Sequence, residues 1–154
     1  KLRGQQTEVD LKLPALLPDD YIHDVNVRLG IYKRIASCAN LNDMDELQVE
    51  LIDRFGLLPE PAKHLFVVTQ LKLVAQSLGM KKVEASAKGG MVEFYQDANI
   101  DPGFLIKLIQ QNPQDYRFDG PTRLKVMIES STAQGRIDWV EQLVMSFNGF
   151  GNAT

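Results

Sequence analysis

The sequence predicts an α+β fold in a single domain, with N-terminal helices followed by two β-hairpins interleaved with helices. Three observations carry this. Apolar residues recur at helical spacing in three successive stretches before Gly79. Beyond Gly79 the period shortens toward two and glycine-containing turns separate the segments. A chain of 154 residues, 44% of them hydrophobic, suits one core of ordinary domain size.

From Glu8 to Leu13 polar and apolar residues alternate, with Val9, Leu11 and Leu13 on one side, which is strand periodicity ended by Pro14 and Pro18. Asp24 or Asn26 is positioned to cap a helix reaching about Ala39, whose Val25, Leu29, Tyr32 and Ala36 form the expected packing stripe. Asn42 or Asp43 begins a second helix with Met44, Leu47, Leu51 and Phe55 inward, and Gly56 follows where a left-handed C-terminal cap is wanted. Pro59 and Pro61 mark the first turn of a third helix, where a missing N–H is tolerated. Its apolar side is Ala62, Leu65, Phe66, Thr69, Leu73 and Leu78, and Gly79 ends it. Val83 and Ala85, then Lys88-Gly89-Gly90, then Met91 to Tyr95 read as a hairpin closed by the glycines. Asp101-Pro102 opens a short helix that Asn112-Pro113 ends. Tyr116 to Phe118, the turn Asp119-Gly120-Pro121, and Leu124, Val126 and Ile128 form the second hairpin. A last helix starts near Thr132 and buries Ile137, Val140, Leu143, Val144 and Phe147, and residues 148 to 154 are expected to fray.

A net charge of −3 and a pI near 5.4 argue against a surface built to neutralise phosphates. The single cysteine, Cys38, has no internal partner for a disulfide, and a reducing cytoplasm is the expected compartment. No apolar run approaches the ~20 residues of a membrane span. A start at Lys1 without methionine reads as a cut inside a longer polypeptide.

No phosphate-cradling glycine loop with its following lysine occurs, so an ATP site is not expected here. His23 and His64 stand without neighbours at metal-ligand spacing, and no metal site is expected. Cys38 reads as a small packing residue, Ser130-Ser131-Thr132 as helix-capping hydroxyls, and Trp139 as a packing residue. An acid pair such as Asp97 and Asp101 has nothing beside it to fix a water or a base. Lys81, Lys82, Arg123 and Lys125 would serve an accessory nucleic-acid-binding role, which the acidic total charge disfavours. The second helix is more informative. At roughly 100° per residue, Glu46, Glu50, Asp53 and Arg54 gather on one side, away from Met44, Leu47, Leu51 and Phe55. Such a face is usually solvated surface, but carboxylates interrupted by one arginine also suit docking of a basic partner.

The run from Leu17 to Leu29, LPDDYIHDVNVRL, then Ile31 to Ile35, IYKRI, and Glu50 to Gly56, ELIDRFG, together with Asp119 to Leu124, DGPTRL, resemble the C-terminal domain of the bacterial transcription-repair coupling factor, the Mfd family. The resemblance runs in order over nearly the whole chain from about Glu8, and His23 stands where the family usually has proline. It implies residues 1–13 as a linker or lead-in strand from a preceding translocase region, 14–148 as the regulatory domain, and 149–154 as a flexible tail. It also implies a non-catalytic module without a cofactor of its own, inside a parent that uses ATP to translocate on DNA. The implied direct partner is the N-terminal UvrB-like module of the same chain, with UvrA, RNA polymerase and DNA reached through the parent. Glu50, Asp53 and Arg54 match the residues that make this intramolecular contact in the family.

Overall fold

The computed structural model describes residues 6–153, with side chains described as far as Phe147. In chain order the elements are β1 (Glu8–Asp10), α1 (Val25–Ser37), α2 (Leu41–Phe55), α3 (Glu60–Ser77), β2 (Met80–Ser86), β3 (Gly89–Phe94), α4 (Pro102–Gln111), β4 (Tyr116–Phe118), β5 (Arg123–Val126) and α5 (Ala133–Ala153). The class is α+β, as the change of period predicts. The chain forms two compact units, a helical unit, Leu13–Leu73, and a sheet unit of residues 6–12 and 74–153, with the division falling inside α3.

The helical unit is built on one apolar cluster to which the lead-in contributes Leu17 and Ile22, α1 Ile31 and Ile35, α2 Met44, Leu47 and Leu51, and α3 Ala62 and Phe66. Asp24 caps α1, its carboxylate accepting from the Val27 N–H. Of the stripe expected to pack α1, Tyr32 meets the core and the rest does not. Val25 and Leu29 are 54% and 53% exposed, while Ile31 and Ile35 are buried. The two sets lie roughly 120° apart around the helix, each at i, i+4 spacing, so local period cannot choose between them. Asn40, rather than Asn42 or Asp43, caps α2, accepting from the Asp43 N–H, while the Asp43 carboxylate accepts from the Ala39 N–H. Gly56 ends α2 at φ 95, ψ −176. This is a glycine-only conformation, but it is extended in ψ instead of the left-handed helical cap expected.

In the sheet unit the five strands run in the order β1-β2-β3-β5-β4. Both expected hairpins form, and β3 joins them by pairing antiparallel with β5. Gly89 and Gly90 are not the turn of the first hairpin; they are strand residues, Ser86 pairs with Gly89, and Ala87-Lys88 makes the reversal. Glycine is required because a Cβ at Gly89 would strike the Val126 carbonyl oxygen and one at Gly90 the Glu84 carbonyl oxygen. The lead-in is shorter than expected and belongs to the sheet, β1 pairing parallel with β2. An Asp10 carboxylate accepting from the Lys12 N–H and a positive φ at Lys12 end it. Thr7 donates to the Met80 carbonyl oxygen at 2.7 Å and Arg136 to those of Leu11 and Lys12, which fastens the segment. All five apolar residues expected of α5 are buried, as is Trp139, and the core-facing strand residues include Val83, Ala85, Val92, Leu124 and Val126. α5 runs to Ala153.

Candidate functional site

The last turn of α1 and the middle of α2 meet in an ionic cluster. Arg34 grips Glu50 with both guanidinium nitrogens, Nη1 to Oε2 at 2.6 Å and Nη2 to Oε1 at 2.7 Å. Arg54, one turn along α2, reaches the same Oε2 at 3.3 Å. The two planar groups match, and this bidentate geometry restricts the carboxylate to one orientation. The hydrogen bonds from Arg34, with the charges of Arg34 and Arg54 behind them, lower the Glu50 pKa to about 2. The participants are about half exposed, so water screens the cluster and its role is to set geometry more than to stabilise the fold. Beside it runs an open groove of about 360 Å³ bounded by Arg34, Cys38, Asp43, Glu46, Leu47 and Glu50.

Asp53 is placed differently. It lies on the solvent face of α2 and, among the described residues, has no ion-pair partner; the same holds for Asp45. Arg54 faces the other way, its guanidinium carbon 4.8 Å from the centre of the Phe55 ring. Of the three residues predicted from sequence, Glu50 and Arg54 are therefore brought together while Asp53 stands apart with a free carboxylate. Arg34 was not predicted as part of the site. Its contact depends on how α1 packs on α2, and the only local hint is an arginine in the last turn of a helix.

The remaining sequence candidates have local structural roles. Asp101 caps α4, accepting from the Gly103 N–H at 2.8 Å, and forms no pair with Asp97. The Thr132 hydroxyl accepts from the Gly135 N–H at the start of α5. Cys38 is half-buried, its thiol donating to the Arg34 carbonyl oxygen, and burial pushes its pKa up, away from a reactive thiolate. His64 Nδ1 lies 3.1 Å from the Pro14 carbonyl oxygen. Of Lys81, Lys82, Arg123 and Lys125, the first three each lie beside a local partner, while Lys125 stands in register with Arg117. Lys81 sits over the Tyr95 ring, Lys82 is registered between Glu8 and Glu93, and Arg123 bridges to Glu93 at 3.4 Å and Asp119 at 3.9 Å. Among the described residues no helix is long and apolar enough to cross a membrane.

Comparison with known proteins places this geometry in a lineage. Residues 11–105, more than half of the chain and including α1, α2 and the ionic cluster, match the family described as the TRCF domain. The chain belongs to the TRCF domain family. The transcription-repair-coupling factor of Escherichia coli is 52% identical to it over 143 residues, which is 93% of this chain and 12% of that protein. The factor of Haemophilus influenzae is 46% identical over 144 residues, 94% of this chain and 13% of that protein. This TRCF domain thus spans about an eighth of the length of these curated relatives. A crystal structure of the C-terminal domain of transcription-repair coupling factor superposes with a TM-score of 0.76 at 24% identity, covering 97% of this chain and 99% of that one. At that identity the superposition establishes the shared fold.

Proposed function

We propose that this TRCF domain is a regulatory, autoinhibitory module that docks through α2 on the N-terminal UvrB-like module of its own parent. In this reading Glu50, Asp53 and Arg54 form the contact, which masks the surface that UvrA would use. It also restrains the ATP-dependent DNA translocase in transcription-coupled nucleotide excision repair. The observation that supports it is the solvent face of α2. This helix carries five carboxylates, Asp43, Asp45, Glu46, Glu50 and Asp53, against one arginine. Asp45 and Asp53 lack counter-charges among the described residues, and a basic partner supplies them.

Glu50 and Asp53 have different parts. Held by Arg34 and Arg54, Glu50 presents a fixed, already compensated group that sets the register of docking. Asp53 is available for a new ion pair. An intramolecular contact of this kind needs little intrinsic affinity, because the tether supplies a high effective concentration of the partner surface. Weak contact is also releasable. A ligand such as RNA polymerase or DNA that prefers the open parent shifts the population without touching this domain. The domain needs no ATP site or other cofactor to act this way.

Asp53→Lys in the intact parent tests the reading without disturbing the Arg34–Glu50 pair. The expected result is stronger UvrA binding and higher basal ATPase, with the fold unchanged; a parent as quiet as the unmodified one would remove α2 as the docking face. Glu50→Lys is a weaker test, since it sets a third cation between Arg34 and Arg54. The alternative, an accessory nucleic-acid-binding domain, predicts double-stranded DNA binding that weakens steeply with salt. The local partners of Lys81, Lys82 and Arg123 favour the docking reading.

A further inference from the structure

We infer that the docking face is anchored by an apolar side chain, Leu57, together with Val49 and Ile52 of α2, and that the partner surface is a hydrophobic pocket rimmed by basic groups. This rests on the docking reading of α2 above and specifies the chemistry of its partner.

A single exposed leucine needs no explanation. Leu57 differs in three respects. At 83% it is the most exposed of the large hydrophobic residues described. It is also rigidly presented. Gly56 before it donates to the Ile52 carbonyl oxygen at 2.9 Å, and its own carbonyl oxygen accepts from the Tyr21 hydroxyl at 2.7 Å. Tyr21 is set edge-on to Phe55, with ring centroids 5.9 Å apart. Leu58 after it is buried in the helical core, and the Pro59 carbonyl oxygen begins α3 by accepting from the Ala62 and Lys63 N–H groups. A flexible loop would let Leu57 fold back out of water; fixed on both sides, it projects.

The third respect is company. Helical geometry puts Val49, 59% exposed, at the centre of the solvent face of α2, with Ile52 and Asp45 to one side and Asp53 and Glu46 to the other. Leu57 follows two residues after the end of α2. Apolar residues inside a ring of charge are the anatomy of a protein interface, in which a few desolvated anchors dominate the affinity and the rim sets orientation. The ring here is acidic, so the complementary rim is basic. A second copy of the chain does not fit, because a two-fold contact through this face would set Asp45, Glu46 and Asp53 against their own equivalents.

The test measures binding of the chain to the purified N-terminal module of the same parent, comparing the unmodified domain with Leu57→Ser, Leu57→Met and Asp53→Lys. Leu57→Ser is expected to weaken binding at least about tenfold, the effect of losing a buried anchor, with the thermal midpoint unchanged and with Leu57→Met restoring most of the affinity. Unaltered binding by Leu57→Ser, where Asp53→Lys weakens it, overturns the anchor and leaves the docking face standing. Failure of the unmodified domain to bind overturns both. A dimer seen by sedimentation and dissolved by Leu57→Ser overturns the assignment of the occupant in favour of a second copy.

Discussion

The solvent face of α2 and the sheet are both crowded with charge, but α2 gathers charge of one sign while a row across the sheet alternates it. Across the sheet, Glu8, Lys82, Glu93 and Arg123 stand in register on four successive strands with alternating sign, and Arg123 closes on Glu93 at 3.4 Å. On α2, acids follow one another with a single arginine, and that arginine turns back toward Glu50 and Phe55. The same contrast holds for the two units. Residues 1–12 and 74–154 carry eleven acidic and eleven basic side chains, whereas residues 13–73 carry nine and six, so the whole net charge of −3 resides in the helical unit. Density of charge therefore says little about where a partner binds; local imbalance, fixed by a rigid scaffold and set around apolar residues, says more.

The largest effect expected from breaking this contrast is Leu51→Ala. Leu51 is fully buried in the core of the helical unit, and its truncation is predicted to cost about 2–5 kcal/mol in urea unfolding. Gly56→Ala should come next. Nothing crowds a Cβ there, but φ 95 with ψ −176 excludes one on backbone grounds, giving a loss of about 1–3 kcal/mol. Because the same turn presents Leu57, this variant should also weaken docking by more than its stability loss accounts for.

The smallest effect lies in the ionic cluster itself. Glu50 has a folded pKa below its ordinary value, so its pairing contributes above the unfolded value near 4.5 and is lost as the pH falls from there through about 2. In Arg34→Ala the carboxyl titration followed by NMR should move from about 2 toward 4.5, with little change in stability at neutral pH. A Glu50 midpoint that stayed near 2 would assign the control of this carboxylate to Arg54 instead.

How much of this the sequence discloses depends on the range of the interaction. The α5 stripe from Ile137 to Phe147 and the inward face of α2 follow from period alone, because each has one dominant apolar side. α1 does not, since Val25 and Leu29 compete with Ile31 and Ile35 and only the neighbouring helices decide. Pairing of β1 with β2 joins residues more than seventy positions apart, and the β3–β5 junction likewise has no local signature. At the candidate site the charges of Glu50, Asp53 and Arg54 were legible, while Arg34 was not, because its bidentate contact exists only once two helices have packed. Leu57 was equally hidden, since its exposure is a property of the turn and not of the residue.

The most direct measurement is the affinity of this chain for its proposed partner, the N-terminal UvrB-like module, with and without Asp53→Lys. The variant removes an unpaired carboxylate and leaves the Arg34–Glu50–Arg54 cluster intact. The proposed docking face requires a clear loss of binding by a domain that remains folded; equal affinity for both forms would contradict it.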